Sequence, residues 1–184
     1  MASVLYLGKP GRVLDFLRDE TGTLTVEEYA LPPKPPEIYD LVVSYGYRHW
    51  IPTAWCRAFD GKAVNLHISY LPWNRGADPN LWSWVDGTTK GVSLHYVSPD
   101  FDRGDLVARI EVPMDPAEHT LRSSYELLSR SVEDLFFQYY MPLLQGLAPR
   151  KPQVGLGSYH RQEDKERIEL PLGWDTPVST LTPS

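Results

Sequence analysis

Cysteine occurs once, at Cys56, so a disulfide within the chain and a multi-cysteine metal site are both excluded. Dense basic stretches are also missing. The formal net charge is -6, and the Arg161 to Arg167 segment is interrupted by Glu163, Asp164 and Glu166. Proteins that grip nucleic acid neutralise several phosphates with a basic patch, so a polymeric nucleic-acid substrate is disfavoured. Apolar runs such as Leu135-Phe136-Phe137 are far too short to cross a bilayer, and no membrane role is expected. The N-terminus carries no cationic, apolar leader, which predicts an intracellular, cytoplasmic protein.

What is present suits one domain with a modest appendage. The chain has 184 residues, 42% of them hydrophobic and 23% charged. A chain of this size buries roughly 70% of its unfolded surface, enough for a core without disulfides. Six tryptophans and eleven tyrosines leave two readings open: an aromatic core, or a site that stacks planar ligand rings.

Strand-like and helix-like segments alternate. Val4-Leu5-Tyr6-Leu7 reads as a buried strand, and Arg12 to Asp19 as a helix with Val13, Phe16 and Leu17 on one face. The intervening Gly8-Lys9-Pro10-Gly11 lacks both the G-x-x-x-x-G-K-[ST] and the G-x-G-x-x-G spacing of phosphate loops. Thr23 to Val26 alternates like a strand, while Pro32 to Pro36, four prolines in five residues, reads as a connector. Asp40 to Tyr45 and Ala63 to Ile68 are further strands, separated by a helix from Pro52 to Phe59. Val92 to Val97 and Leu106 to Ile110 follow as two more. Ser123-Ser124-Tyr125-Glu126 has the form of a capping box before a long helix on which Leu128, Val132, Leu135, Tyr139 and Leu143 share a face. Pro142 is expected to end or kink it, and Pro171 to Ser184 to be irregular. This order predicts an α/β fold: a mainly parallel, abbreviated doubly wound, Rossmann-like sheet flanked by helices, with a long C-terminal helix. The domain would span 1–150, with 151–184 an extension packing on it.

The segment richest in chemistry is Asn65-Leu66-His67. Alternation on a strand points Asn65 and His67 to one side and Leu66 to the other. Polar groups at a strand's C-terminal end lie where open α/β sheets bind ligands. A satisfied core histidine with an amide neighbour is the bland reading of the pair alone.

The residues that follow add a resemblance. Asn65-Leu66-His67-x-Ser69-x-Leu71-Pro72, then Arg75-Gly76-Ala77-x-Pro79 and an aromatic helix, resembles the signature of the folate-dependent formyltransferase family. Asp100-Phe101-Asp102-Arg103-Gly104-Asp105 is similar to that family's D-x-G-D loop, in the right order and with a strand between. The fuller wording from Trp73 to Trp82, and Gly157-Ser158-Tyr159-His160-Arg161, look most like the branch that formylates nucleotide-linked amino sugars.

That resemblance implies an N-formyltransferase using N10-formyltetrahydrofolate as formyl donor, with no metal. His67 would be the general base, Asn65 the oxyanion donor and Asp102 the group that orients His67. Tyr47, Arg48, His49, Trp50 and Ile51 would flank the folate ring, with Ser98 and Asp100 in a second wall. Trp73, Arg75 and Trp82 would contact the sugar nucleotide; the alternative for these three is core packing and a structural ion pair. Trp50 and Ile51 alternatively start a core helix, and His95 reads as structural. The same trio would also serve hydrolysis of formyl-folate, and a non-catalytic folate or nucleotide-sugar binder is the remaining alternative. Only 64 residues precede Asn65, implying a shortened N-terminal half. The chain ends too early for the transfer-RNA branch's C-terminal domain. The implied partner is a small-molecule amino-sugar nucleotide, and a homodimer is allowed.

Overall fold

Hydrophobic residues at alternate positions of three strands face two different layers of helix, and this arrangement sets the architecture. The computed structural model describes residues 2–35 and 38–183. The elements run β1 (Ser3–Gly8), α1 (Arg12–Glu20), β2 (Thr23–Glu27), β3 (Leu41–Tyr45), α2 (Thr53–Ala58), β4 (Ala63–His67), β5 (Arg75–Gly76), α3 (Pro79–Val85), β6 (Gly91–Tyr96), β7 (Leu106–Glu111), α4 (Leu121–Leu144) and β8 (Tyr159–His160). Pro36, the last proline of the expected connector, lies outside the described residues, as do Glu37, Met1 and Ser184.

The main sheet has the order β2-β1-β3-β4-β6-β7. The first four strands are parallel; β6 and β7 each pair antiparallel. The fold is thus Rossmann-like and mainly parallel, closed on one side by an antiparallel pair. Val64 and Leu66 face α1 and α4, packing with Leu14, Leu17, Leu128, Val132 and Phe136 in the principal core. Each fully buried side chain of this kind contributes about 1.5–3 kcal/mol relative to exposure. Ala63, two residues before Asn65, packs on the opposite face with Leu5, Leu7, Val42 and the α2 residue Trp55. That second layer is thin, because α2 has only six residues.

The long helix begins earlier than its expected cap. Thr120, not Ser123, is the N-cap: its hydroxyl accepts from the Ser123 N–H, and the Ser123 hydroxyl accepts from the Thr120 N–H. Serine at the third position replaces the usual Glu or Gln, so the box reads T-x-x-S and the S-x-x-E pattern lies one turn inside the helix. Pro142 sits within α4, two residues before its end. The Pro171–Pro183 region forms only short 3-10 turns, at Gly173–Asp175 and Val178–Thr180. It is nevertheless docked: Thr176 and Val178 are buried, the Leu121 N–H donates to the Thr176 carbonyl, and Arg122 pairs with Asp175.

Candidate active site

Three segments distant in sequence meet at the end of β4. The pleat sends Asn65 and His67 away from the α4 core, toward the α2 face. Beyond β4 the chain turns at once, and β6 braces that turn. The Ser93 hydroxyl donates to the Ser69 carbonyl and accepts from the Leu71 N–H. The antiparallel register sets Asn65 opposite His95 and His67 opposite Ser93. The loop from β6 to β7 then brings Asp102 back over the same spot.

Asp102 is held on every side. Its backbone is left-handed, with φ 51°, a conformation that Asp tolerates better than most side chains. One carboxylate oxygen accepts from the Gly76 N–H at 2.8 Å and lies 3.7 Å from His67 Nδ1. The other accepts from Asn65 Nδ2 at 3.3 Å and lies 3.4 Å from His95 Nε2. Burial alone favours the neutral acid, but the positive charge that the His67 and His95 rings carry when protonated, together with the Gly76 N–H, outweighs it. The carboxyl is held well below the usual carboxylate range.

The hydrogen bonds also settle the tautomers. His67 Nε2 lies 3.0 Å from the Asn74 carbonyl, which can only accept, so this nitrogen carries a proton. In the neutral ring Nδ1 is then the free base, turned to Asp102. His95 Nδ1 likewise donates to the Tyr96 carbonyl at 2.9 Å, leaving its Nε2 to accept from Asn65 Nδ2 at 3.1 Å. The Asn65 amide nitrogen is therefore directed at His95 and Asp102 together.

Burial pushes the proton affinity of His67 below the ordinary imidazole value of 6.5, with Asp102 working in the opposite direction. A histidine whose pKa is depressed stays neutral until the pH falls through that depressed value. The acid limb of kcat/KM is accordingly expected to inflect below pH 6.5. An inflection above 6.5 in a pH–rate profile would remove His67 as the base.

Several residues that the sequence did not flag complete the assembly. Gln153 Nε2 donates to the carbonyls of Asp102 and Gly104, both at 2.8 Å. Its Oε1 accepts from Arg75 Nε at 3.1 Å and Nη2 at 2.7 Å. Arg75 is only 4% exposed, and its Nη1 donates to the Leu156 carbonyl. The expected phosphate contact is thus a buried guanidinium already engaged by Gln153. Trp82 is also buried, and stacks on His160 with ring centroids 4.0 Å apart. Trp73 remains 40% exposed. β8 pairs with β5 in parallel, Arg75 opposite Tyr159, which anchors the late segment beside the turn that follows β4. No pattern within Lys151-Pro152-Gln153 marks that glutamine. His95 had one signal, alternation with Ser93, but the β4–β6 register was needed to aim it.

The expected ring-binding segments lie together on the α2 face. Tyr47, Ile51 and Val97 pack against one cluster containing Leu5, Leu7 and Trp55. Arg48, His49 and Trp50 project outward, Trp50 being 53% exposed. Ser98 and Asp100 hold their turn through a bond from the Ser98 hydroxyl to the Asp100 carbonyl. Among the described residues no group of three or more His, Cys, Asp or Glu side chains is set to hold a metal ion, and no helix is long and apolar enough to cross a membrane.

A family model described as formyl transferase matches residues 36–137. The structure of the formyltransferase PseJ from Anoxybacillus kamchatkensis superimposes with a TM-score of 0.92 at 40% identity, covering 98% of this chain and 97% of that one. It was determined in complex with UDP-4,6-dideoxy-4-formamido-L-AltNAc and tetrahydrofolate. A dTDP-4-amino-4,6-dideoxyglucose formyltransferase of Mycobacterium tuberculosis is 28% identical over 133 residues, 72% of this chain and 55% of the relative. A methionyl-tRNA formyltransferase of Syntrophus aciditrophicus is 34% identical over 120 residues, 64% and 38% respectively. The chain spans about half or less of the length of these curated relatives.

Proposed function

Because the chain belongs to the formyl transferase family, we propose that it transfers a formyl group from N10-formyltetrahydrofolate to the amine of a nucleotide-linked amino sugar. One observation carries the reading: Asn65, His67 and Asp102 converge at the end of β4, within hydrogen-bonding reach or nearly so. The folate-dependent donor fits the α2 face, where the apolar bodies of Tyr47 and Ile51 offer a surface for a flat ring and the Ser98–Asp100 turn a polar edge.

The amine nitrogen attacks the formyl carbon, forming the new C–N bond and a tetrahedral centre with a developing oxyanion. His67 Nδ1 accepts the proton the amine loses, and Asp102 beside it stabilises the imidazolium. The bond from the formyl carbon to N10 then breaks, and the proton passes to N10 of the departing tetrahydrofolate. Asn65 serves the oxyanion only if one of its N–H groups turns from His95 or Asp102 toward the substrate. Gln153 and Arg75 act one step removed, fixing the strained backbone of Asp102. Trp73 is the remaining candidate for a sugar-facing wall.

The reaction is tested by incubating amino-sugar nucleotides with N10-formyltetrahydrofolate and reading the mass gain of one formyl group. Formate release without any formylated amine would replace transfer by hydrolysis. Gln153→Ala is expected to lower kcat roughly 10-fold to 10²-fold while changing either KM far less, since it loosens the catalytic geometry rather than a binding surface. A variant altered only in the sugar-nucleotide KM would instead put the Arg75–Gln153 pair in substrate binding.

A further inference from the structure

The neutral His67 ring has one proton for two nitrogens, and an acceptor stands at each. Nε2 lies 3.0 Å from the Asn74 carbonyl, and Nδ1 lies 3.7 Å from a carboxylate oxygen of Asp102. A carboxylate is the stronger acceptor, so with equal reach Asp102 would draw the proton to Nδ1. The ring would then hold no lone pair there for the proton of an attacking amine. Distance decides against this outcome, because 3.7 Å is beyond hydrogen-bonding range and the same oxygen already accepts from the Gly76 N–H. The position of one backbone carbonyl thus sets which nitrogen is the base. We propose that Asn74 is a positioning residue for the reaction, locked by Ser158 and Thr88 so that its carbonyl selects the His67 tautomer with Nδ1 free. The inference rests on the reading that His67 accepts the amine's proton.

Three observations carry it. Asn74 is fully buried, and its backbone is left-handed, with φ 55°. Asparagine tolerates that conformation, but relaxation to the ordinary negative-φ regions would swing the carbonyl off Nε2, so the geometry needs an external hold.

The hold is present on two sides. The Ser158 hydroxyl accepts from the Asn74 N–H at 2.8 Å and donates to Asn74 Oδ1 at 3.1 Å. The Asn74 side-chain amide donates to the Thr88 hydroxyl at 2.7 Å. One lock residue lies in the connector between α3 and β6, and the other is 84 residues beyond Asn74 in the chain.

Ser158 is itself seated. Its N–H donates to the Pro72 carbonyl at 3.2 Å, and its carbonyl accepts from the Arg75 N–H at 3.1 Å. Gly157 permits this approach: its φ is +65°, and a side chain at that position would run into the Pro72 carbonyl. A merely structural anchor would be complete with the two backbone bonds. The hydroxyl adds a donor and an acceptor, and spends both on the residue that faces His67.

The experiment reads the His67 tautomer directly, from the ring-nitrogen NMR shifts of labelled histidine in the protein without substrate, at a pH well above 6.5. Protonated and unprotonated ring nitrogens give widely separated shifts, and the His67 pair is assigned by its disappearance in His67→Gln. The parent chain is expected to show Nε2 protonated and Nδ1 unprotonated. In Ser158→Ala the two shifts should move toward each other as the second tautomer is populated. Ser158→Thr keeps the hydroxyl and should restore the parental values. The kcat of Ser158→Ala should fall about tenfold or more, with both KM values within about twofold of the parent.

Thr88→Val removes the other half of the lock and supplies the same readout if Ser158→Ala does not fold. A parent ring protonated at Nδ1 overturns the proposal. Parental ring shifts in folded Ser158→Ala, or in Thr88→Val where the first variant does not fold, overturn it too. A lower kcat beside unmoved shifts marks a structural role alone. The outcome separates from that of the proposed reaction, because the shifts need no substrate. Formyl transfer with a ring indifferent to the lock sinks the lock alone. A Ser158-dependent tautomer without formyl transfer keeps the lock and sinks the reaction.

Discussion

Replacing His67 by alanine is expected to lower turnover about 10²-fold or more, the usual cost of removing a general base. The ring has a second task, because its Nε2 donates to the Asn74 carbonyl and so anchors the loop after β4. Alanine removes both, and His67→Gln separates them. A glutamine amide reaches the position of Nε2 and can keep the bond to Asn74, but it has no titratable base. Equal losses in the two folded variants assign the defect to proton transfer. If His67→Gln worked at near-parental rates, the bond to Asn74 would be the ring's whole contribution and the mechanism would need another base.

Asp102→Asn should cost a comparable factor, about 10²-fold, for an electrostatic reason. Asparagine also tolerates the left-handed backbone at φ 51°, and the Gln153 bond goes to the Asp102 carbonyl, not to its side chain. The substitution therefore removes the charge while leaving the loop largely in place. Without that charge, proton uptake at the buried His67 Nδ1 loses its main support, since Asp102 is the principal influence opposing burial there. The loss should fall in kcat more than in the donor KM, in a chain that still folds but melts at a lower temperature, since the ionised carboxylate with its depressed pKa also stabilises the fold. Full activity in a folded Asp102→Asn chain would break the proposed coupling to His67.

The pattern of local elements was legible because it depends on short-range periodicity. Alternation in Ala63 to Ile68 correctly put Asn65 and His67 on one face, and apolar spacing identified the long helix through Leu128, Val132 and Leu135. The cap of that helix was misread by one turn. S-x-x-E and T-x-x-S are both capping patterns, and the docked C-terminal segment, whose Thr176 carbonyl receives the Leu121 N–H, favours the earlier start. Burial was the weaker inference. Trp82 and Arg75 belong to the motif that suggested a substrate wall, but the β5–β8 pairing covers one with His160, and Gln153 engages the other.

By itself, then, the sequence determined the alternation of strands and helices, the shared face of Asn65 and His67, and the motif that singles out Asp102. These rest on backbone geometry and residue order, which are local. The tertiary structure alone decided that His95 stands opposite Asn65, that Gln153 clamps the Asp102 loop from some fifty residues away, and that Ser158 holds the residue whose carbonyl faces His67. Antiparallel register and the docking of a distant segment bring those groups together. Both are set by which apolar faces bury one another, information spread over the whole chain and held in no single stretch of it.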